Sequence, residues 1–321
     1  MQFLRRLSPR TVGLGAALVT VLIWSAFIVI ARASARGSLT PLDIALARIV
    51  GASLVLLPLG WWLVRRDRAA AATGVAARPS SFFGLSPLAL RVTAACGVFG
   101  GLAYAILAYA GFFYAPAAHA SVLMPGSLPL WTTLLAALLL HERITPARAI
   151  GLACIVGGDL LVGGASLLSA FEGGEVWKGD LLFMSAALCW AAYSVLARRH
   201  ALDAVRATIA VTVFALFTYV PLYALLLGLG ALHSQLAAAP LAEVLFQVVF
   251  QGVGSVVISG ITFVRMIQYY GPVHSTMITA LVPGLSALGA VVFLGEPLYW
   301  NLLAGLVLVT AGIVFGVQKK K

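Results

Sequence analysis

Ten apolar runs follow one another along this sequence. They lie near residues 11–31, 43–64, 91–112, 117–140, 147–168, 179–198, 208–231, 243–264, 273–294 and 300–317. A helix needs about 20 apolar residues to cross the roughly 30 Å hydrocarbon core of a bilayer, and most of these runs are long enough. Backbone polar groups find no water in lipid, so long runs without alternating polarity are expected to be helices and not barrel strands. The pattern predicts an all-α integral membrane protein with ten transmembrane helices.

The composition excludes most other classes. Of the 321 residues, 62% are hydrophobic and 10% are charged, and a soluble domain could not bury that much apolar surface. The formal net charge is +11, but the basic residues are spread between apolar runs, so nucleic-acid binding is not expected. Cys96, Cys154 and Cys189 each lie inside an apolar run, without a CxxC pair or neighbouring ligands. We therefore expect no metal site and no cofactor.

The basic residues predict the orientation. With the N-terminus in the cytoplasm, 17 of the 21 Lys and Arg residues fall on the cytoplasmic side. Only Arg32, Arg36 and Lys178 fall on the other side, and Arg48 lies within a span. Membrane proteins keep Lys and Arg on the cytoplasmic side, so both termini are expected inside. The longest connection, 65–90, is rich in Ala, Ser and Arg and is predicted to be a mobile cytoplasmic loop.

The two halves of the chain repeat each other. At an offset of 154, identical residues are Ser121, Pro129, Glu142, Gly151 and Gly158 with Ser275, Pro283, Glu296, Gly305 and Gly312. At an offset of 166, they are Gly13, Trp24, Val29, Ala31 and Arg32 with Gly179, Trp190, Val195, Ala197 and Arg198. Five spans is an odd number, so the second copy must cross the membrane in the opposite direction. We predict two inverted five-helix repeats, 1–168 and 179–321, joined by a linker at 169–178.

The same residues resemble a known family. The resemblance rests on Trp24, the Ala-Arg pair at 47 and 48, the HERIT stretch between Pro129 and Gly151, and the GEPLYW stretch between Pro283 and Gly305. Together they are similar to the drug/metabolite transporter superfamily, specifically the EamA-type permeases. The resemblance implies a bacterial inner-membrane exporter of small metabolites, often amino acids, including aromatic amino acids, threonine and cysteine derivatives.

Aromatic side chains at mid-depth are candidates for substrate binding. Trp24 and Trp190 lie about 13 and 11 residues into their spans, whereas Trp usually prefers the membrane interface. We interpret them as cavity-lining residues, with core packing as the alternative. Tyr104 and Tyr109 in the third span are five residues apart, so they do not share one narrow helix face, and we expect only one to contact a substrate.

Charged groups within spans are a sharper signal, because burying one costs at least about 2.5 kcal/mol on insertion scales. Arg48 and Asp159 have compatible depths, so they are candidates for an ion pair. One hypothesis is that Arg48 receives the carboxylate of an amino acid, while Asp159 contacts its amine or takes up a proton. The alternatives are a pair that joins two helices, or an Arg48 that extends to the interface.

Other polar residues extend the candidate site. His119 and His274 lie at the starts of the fourth and ninth spans and are coupling candidates, with a hydrogen-bonded helix end as the alternative. Gln247 and Gln251 are one turn apart in the eighth span, and we expect them to line the cavity or to bond across helices. Both pairs are polar groups that lipid would not solvate.

Three prolines are candidates for kinks and gates. Pro125, Pro129 and Pro283 lie within the fourth and ninth spans, where a proline removes a hydrogen bond and bends the helix. A passive packing kink is the alternative. Glu142 and Glu296 each precede the next helix by a few residues, and we interpret them as capping or hinge residues.

These features favour a secondary transporter that exports amino acids or related small metabolites by alternating access. No GxxxxGK[ST] loop is present, so transport driven by this chain's own ATPase activity is not expected. The alternatives are a membrane-embedded enzyme or a protein that handles lipid-linked substrates, an uptake permease for another solute, and a sensor or scaffold. The enzyme is disfavoured because the pair His141 and Glu142 lacks the rest of HExxH. One chain holds both repeats, so we expect a monomer in the lipid bilayer with a small-molecule substrate.

Overall fold

The computed structural model describes residues 9–74, 76–169, 174–279 and 281–317, and almost all of these are helical. The helices, in chain order, are α1 (Pro9–Ser34), α2 (Pro41–Ala72), α3 (Leu90–Tyr114), α4 (Ala117–Leu140), α5 (Pro146–Ser169), α6 (Val176–Arg199), α7 (Ala204–Gly228), α8 (Leu241–Gln247, Val248–Ile258 and Ser259–Ile278), α9 (Leu281–Leu294) and α10 (Trp300–Val317).

The helices have the length and surface of membrane spans. Within the described residues, seven helices are long and apolar enough to cross a bilayer: α1, α2, α3, α4, α6, α7 and α8. The helices α9 and α10 are shorter but also apolar. On α1, Leu14, Leu18 and Leu22 repeat every four residues and form an outward stripe, each more than half exposed. Such a stripe is unfavourable in water and favourable against lipid tails. The prediction of an all-helical integral membrane protein is thereby confirmed.

Local sequence signals set where the helices begin. At the start of α2, the Thr40 hydroxyl accepts a hydrogen bond from the Asp43 amide at 3.1 Å, and the Asp43 carboxylate accepts one from the Thr40 amide at 3.0 Å. This reciprocal pair satisfies amides that the helix itself leaves unbonded, and Pro41 needs no partner in the first turn. At the start of α7, Asp203 likewise accepts bonds from the amides of Val205 and Arg206.

Glycines bring two helix pairs into backbone contact. A Cβ added at Gly252 of α8 would lie 2.6 Å from the Gly51 Cα of α2, so the two backbones touch. In the pair α5 and α10, a Cβ added at Gly158 would lie 2.7 Å from the Gly305 carbonyl oxygen, and one added at Gly305 would lie 2.9 Å from the Gly158 carbonyl oxygen. Gly312 approaches the Gly151 carbonyl in the same way. Small residues are what allow membrane helices to pack this closely.

The helices surround a common centre. Helix α3 packs against α6 and α7, and α4 packs against α6. Helix α8 packs against α1 and α2, and α9 packs against α1. The remaining large contacts join α2 to α7 and α5 to α10. Helices α1, α2, α3, α6 and α8 therefore all reach the middle of the bundle, where the candidate site lies.

In the described part of the chain, three helices contain π-helical stretches beside that centre. They are Val98–Leu102 in α3, Val122–Gly126 in α4 and Val248–Ile258 in α8. A π-helical turn widens the backbone by one residue and often marks a functional site. In α8 the turn contains Gln251 and Ser255, which both face the candidate site described below.

The prolines differ from the expected mid-helix kinks. Pro125 lies in a π-helical turn, Val122–Gly126, but Pro129 lies in the first turn of the stretch Leu128–Leu140. Pro283 is the third residue of α9. The first amides of a helix have no intrahelical partner, so Pro129 and Pro283 remove no hydrogen bond there, and the predicted mechanism was wrong for these two. They instead mark breaks where a new helical stretch begins.

The connection after α2 is shorter than the sequence indicated. The sequence predicts a loop at 65–90, but α2 continues as a helix through Ala72. Beyond it, Ser81 and Ser86 pair through their backbones, and the hydroxyls of both bond Thr93 of α3 at 3.1 and 2.8 Å. Phe82 packs against Phe214 and Phe217 of α7. The linker predicted at 169–178 lies partly outside the described residues, and α6 already begins at Val176.

Candidate functional site

Arg48 of α2 is the centre of the candidate site. Its side chain is 5% exposed, so the guanidinium is buried in the middle of the bundle. The Nη1 atom donates to the Ser255 hydroxyl at 2.9 Å and to the Tyr109 hydroxyl at 3.3 Å. The guanidinium also lies 5.7 Å from the centre of the Phe27 ring, within the range of a cation–π contact. These contacts join α1, α2, α3 and α8 at one point.

The glutamines of α8 complete this cluster in two different ways. The Tyr109 hydroxyl donates to the Gln251 side-chain oxygen at 2.9 Å, and both residues are fully buried. Gln247 instead donates to the Ser34 hydroxyl of α1 at 2.7 Å, so it bonds across helices. The Gln251 side-chain nitrogen has no partner in the described part of the chain. Its free donor lies in the same cluster as the Arg48 cation.

A cavity adjoins Arg48. Its polar lining includes Arg48, Ser255, Trp190 and Thr212. Among the described residues, the Trp190 indole nitrogen and the Thr212 hydroxyl are buried without a hydrogen-bond partner. Buried polar groups are normally bonded, so unpartnered ones beside a cavity mark a place for a polar ligand. We call this space the arginine cavity.

A second cavity is also lined by Trp190. It is lined by Trp24, Tyr104, Trp190, Met124 and Pro125, among others, and we call it the aromatic cavity. The ring centres of Trp24 and Trp190 are 5.6 Å apart at near-perpendicular planes, and Tyr104 lies 4.7 Å from Trp190. Edge-to-face and tilted geometries of this kind are favourable for aromatic pairs.

The two repeat-related tryptophans therefore meet, and Trp190 lines both the arginine cavity and the aromatic cavity. The two tyrosines reach different parts of the same region: Tyr104 contacts the aromatic cluster and Tyr109 bonds Arg48. Sequence reasoning missed Ser255 and Phe263, whose ring centre lies 4.8 Å from that of Trp24. A signal for Ser255 existed, because it lies one turn beyond Gln251 on the same helix face. Phe263 had no such signal in an apolar run.

Asp159 lies elsewhere, and the candidate ion pair between it and Arg48 is absent from the described residues. Asp159 is 7% exposed, and neither carboxylate oxygen has a hydrogen-bond partner among the described residues. It lines a lateral cavity together with Trp131, Trp177 and Asp180. Helix α5, which carries Asp159, is on a different side of the bundle from α2. Similar depth in the membrane did not bring the two charges together.

Ion pairs tie the helices together at one end of the bundle. Glu296 accepts from Arg32 Nε at 2.8 Å and from the Ala117 amide at the start of α4 at 3.0 Å, with Arg36 Nη2 at 3.5 Å. The Nη1 atom of Arg32 donates to the Phe112 carbonyl at 2.7 Å. Glu296 therefore caps α4 and not the helix that follows it in sequence. His119 Nδ1 lies 2.9 Å from Asp180 at the same end, and His274 lies just after the Gly271 break in α8.

Loss of the Glu296 charge is expected to destabilise the fold. In Glu296→Gln, the Arg32 guanidinium and the Ala117 amide lose an ionised acceptor, and hydrogen bonds to charged groups contribute about 1.5 to 3 kcal/mol. We expect the thermal unfolding midpoint in detergent to fall by several degrees. The control is Glu142→Gln at the repeat-related position, where the carboxylate is 39% exposed and Arg148 is 3.8 Å away. An equal shift in both variants would contradict the assignment.

The fold and these cavities define a multi-pass membrane protein with a partly polar cavity between its helices. The chain belongs to the EamA-like transporter family, whose model matches residues 11–164 and 177–317. The resemblance seen in the sequence is thereby confirmed, and the chain is placed in a family of membrane transporters. Membership of a transporter family also argues against the alternative of a membrane-embedded enzyme.

Two further comparisons bear on the fold and on relatives. The uncharacterized transporter YyaM of Bacillus subtilis (strain 168) is 29% identical over 107 residues, which is 33% of this chain and 35% of that protein. The chain thus spans about a third of the curated relative that it matches. A solved structure described as the crystal structure of a protein has a TM-score of 0.58 at 24% identity and covers 97% of each chain. At that identity the likeness concerns the fold alone.

Proposed function

We propose that the protein is a secondary transporter that exports amino acids or related small metabolites across the bacterial inner membrane by alternating access. One observation carries this proposal: the buried Arg48 guanidinium faces a cavity and has no carboxylate partner among the described residues. Burying an unpaired cation costs several kcal/mol, and a substrate carboxylate at Arg48 would offset that cost. Arginine binds carboxylates with two parallel hydrogen bonds, which also orients the substrate.

The remaining candidates complete the proposed binding site. The Trp190 indole nitrogen and the Gln251 amide supply unused donors near Arg48, and Tyr109 holds Gln251 in place. Trp24 and Tyr104 would enclose the apolar part of the substrate in the aromatic cavity. Gln247 acts on the site indirectly by fixing α8 against α1. A substrate with a carboxylate and a small apolar body fits this division into a polar and an aromatic cavity.

The proposed mechanism requires two inverted repeats, and the packing supports them. If α1 to α5 correspond to α6 to α10, each contact between the halves should have a counterpart in which the halves trade places. The contact of α3 with α6 then corresponds to that of α8 with α1, and the contact of α4 with α6 to that of α9 with α1. The contact of α3 with α7 corresponds to that of α8 with α2. Gly151 with Gly312 likewise exchanges with Gly305 and Gly158. Approximate twofold symmetry has this consequence, and the two family matches at 11–164 and 177–317 divide the chain in the same way.

Backbone details at equivalent positions support the same division. The helix before Glu142 ends at His141 with φ of 57°, and the helix before Glu296 ends at Gly295 with φ of 65°. In both halves the glutamate amide donates at 3.3 Å to the carbonyl six residues earlier, in Ala136 and in Ala290. Counting α5, α9 and α10 with the seven long spans gives the proposed ten crossings, with both termini in the cytoplasm by the distribution of basic residues.

The proposed gates lie where the repeats break. The ion pairs of Glu296 join α1 and α4 to the connection before α10, and they would have to separate for the cavity to open at that end. The helix breaks at Pro125, Pro129 and Pro283 are proposed hinges. Of these three prolines, Pro125 lines the aromatic cavity. One chain contains both halves of the site, which supports a monomer as the working unit.

The proposed proton-coupling residues are Asp159, His119 and His274. Asp159 supports this role best, because it is a buried carboxyl group without a hydrogen-bond partner in the described residues. We expect Asp159→Asn to lose the whole stimulation of export by an inward proton gradient, while exchange of labelled for unlabelled substrate stays at the wild-type rate. Flux measured in proteoliposomes with and without the gradient tests this. Unchanged stimulation in Asp159→Asn would remove the residue from the coupling mechanism.

A counterflow screen tests the proposed function. Purified protein in liposomes loaded with an unlabelled metabolite should accumulate the same labelled metabolite from outside, and protein-free liposomes give the background. Amino acids and related carboxylates form the first panel. Saturable accumulation of at least one member is the expected result, and absence of accumulation across the panel would contradict the proposal. An uptake permease is the second candidate, and the screen includes it because counterflow is independent of the native direction.

A further inference from the structure

The charge of the two central cavities is the starting point. Of the described residues that line the arginine cavity, one is charged, and it is the Arg48 cation. The described residues that line the aromatic cavity carry no charge. The contacts of Arg48 go to neutral hydroxyls of Tyr109 and Ser255. The central site therefore has one positive charge and no negative one.

The other buried charges in the described part of the chain are mostly compensated. Arg206 pairs with Asp67 at 2.6 Å, and Arg32 pairs with Glu296 at 2.8 Å. The Asp43 carboxylate accepts from the amides of Thr40 and Gln235, each at 3.0 Å, and from the Tyr223 and Ser234 hydroxyls. The fold thus satisfies charges that serve its stability. The Arg48 charge is kept without a counterion, as a site for an external anion requires.

No acidic side chain in the described residues is available to the central site. The acidic residues of the described chain form hydrogen bonds or ion pairs with other groups, or lie in other parts of the bundle. They are Asp43, Asp67, Glu142, Asp159, Glu175, Asp180, Asp203, Glu243 and Glu296. The unused groups beside Arg48 add donors, namely the Trp190 indole nitrogen and the Gln251 amide nitrogen. A zwitterionic amino acid would satisfy the cation with its carboxylate but would leave its ammonium group without a carboxylate partner.

Building on the proposed function, we infer that the substrate class is small organic anions without a compensating ammonium group, in preference to zwitterionic amino acids. Each export step then moves negative charge out of the cell. An inside-negative potential of about 100 mV favours outward distribution of a monoanion by about 50-fold. A cycle that also returned a proton inward would carry more charge and not less. The membrane potential alone is thus sufficient to drive export.

Binding by matched compounds tests the charge preference without any need for transport. The two compounds of each pair share the carboxylate and the apolar body, but only one of them carries the amine. An example is 3-phenylpropionate with phenylalanine, and the panel also contains aliphatic and hydroxylated pairs. Binding to purified protein in detergent is followed near neutral pH by tryptophan fluorescence. We expect the anion to bind at least about tenfold more tightly than the zwitterion in the pairs that bind. Equal or tighter binding of the zwitterions, or no binding by any anion, would overturn the inference.

Variants of Arg48 assign that preference to its charge. Arg48→Gln should lose the preference for the anion, and Arg48→Lys should keep it with weaker binding, because lysine retains the charge without the planar fork. The control is Arg65→Gln, which removes an exposed cation from the same helix and should bind as the wild type does. A preference that survives in Arg48→Gln would overturn the inference. The wild-type comparison stands even where a variant does not fold.

A diffusion potential tests the electrical consequence. Proteoliposomes loaded with labelled N-acetylphenylalanine, which is impermeant relative to the protein-dependent flux, receive a potassium gradient and valinomycin. An inside-negative potential should accelerate efflux, and the reversed potential should slow it. Flux that ignores the potential would overturn the inference while leaving transport itself intact. Anion-selective binding without any flux would instead contradict the proposed transport function and leave the binding preference standing.

Discussion

Arg48→Gln is expected to abolish counterflow of carboxylate substrates. Removing one member of a buried, hydrogen-bonded charge pair costs about 2 to 5 kcal/mol of binding free energy, which is roughly 30-fold or more in Kd. The measurement is counterflow in proteoliposomes together with binding in detergent. The glutamine amide ends near the position of the arginine Nε, so the variant removes the charge together with the bonds that Nη1 donates at 2.9 and 3.3 Å.

The same variant separates a functional charge from a structural one. A buried cation without a counterion is costly, so replacing it by a neutral residue should leave the unfolding midpoint unchanged or raise it. A structural role predicts the opposite, a large fall in the midpoint with loss of folded protein. Wild-type counterflow by a folded Arg48→Gln protein would remove Arg48 from the binding site. The exposed Arg65→Gln variant is again the matched control.

The second large effect is expected from Gly252→Ala. The added Cβ would lie 2.6 Å from the Gly51 Cα and 2.7 Å from the Ala52 amide nitrogen, and neither backbone atom can rotate away. Helices α2 and α8 must separate, and overpacking of this kind costs about 1 to 3 kcal/mol or more. Because α2 carries Arg48 and α8 carries Ser255, the separation should also reduce transport. We expect a fall of several degrees in the unfolding midpoint.

The control for that variant is two residues away. A Cβ added at Gly254 would meet its nearest atoms at 3.9 and 4.0 Å, which is ordinary contact. Gly254→Ala should therefore keep the wild-type midpoint, or raise it slightly through the better helix propensity of alanine. The two variants make the same chemical change on the same helix, so a difference between them isolates the close approach. Equal midpoints would show that α2 and α8 tolerate the extra atom.

The site could be predicted in part because buried polar residues are expensive in a membrane. Arg48, Tyr109 and Gln251 stand out within apolar runs, and the structure brings these three together. Trp24 and Trp190 stand out by their mid-depth position and meet at 5.6 Å. Whether any of them binds substrate stays a prediction.

Asp159 shows where this reasoning ends. Its depth matches that of Arg48, but depth along a helix says nothing about the direction in which the side chain points around it. In a soluble protein the polar face of a helix supplies that direction. A membrane helix is apolar on all sides, because lipid tails are as apolar as the protein core, so no such face can be identified. Phe263 was missed for the same reason.

The sequence by itself determined the helical, membrane-spanning class, the matched positions of the two halves and the family, because each depends on the order and spacing of residues. It also predicted irregularities in the helices near Pro129 and Pro283, although it did not predict their cause. Only the tertiary structure decided which helices meet, that Glu296 bonds Arg32 and caps α4, and that Arg48 has a cavity and no counterion. Those contacts depend on the rotation of each helix about its axis, which is set by packing against neighbours such as Gly51 and Gly252.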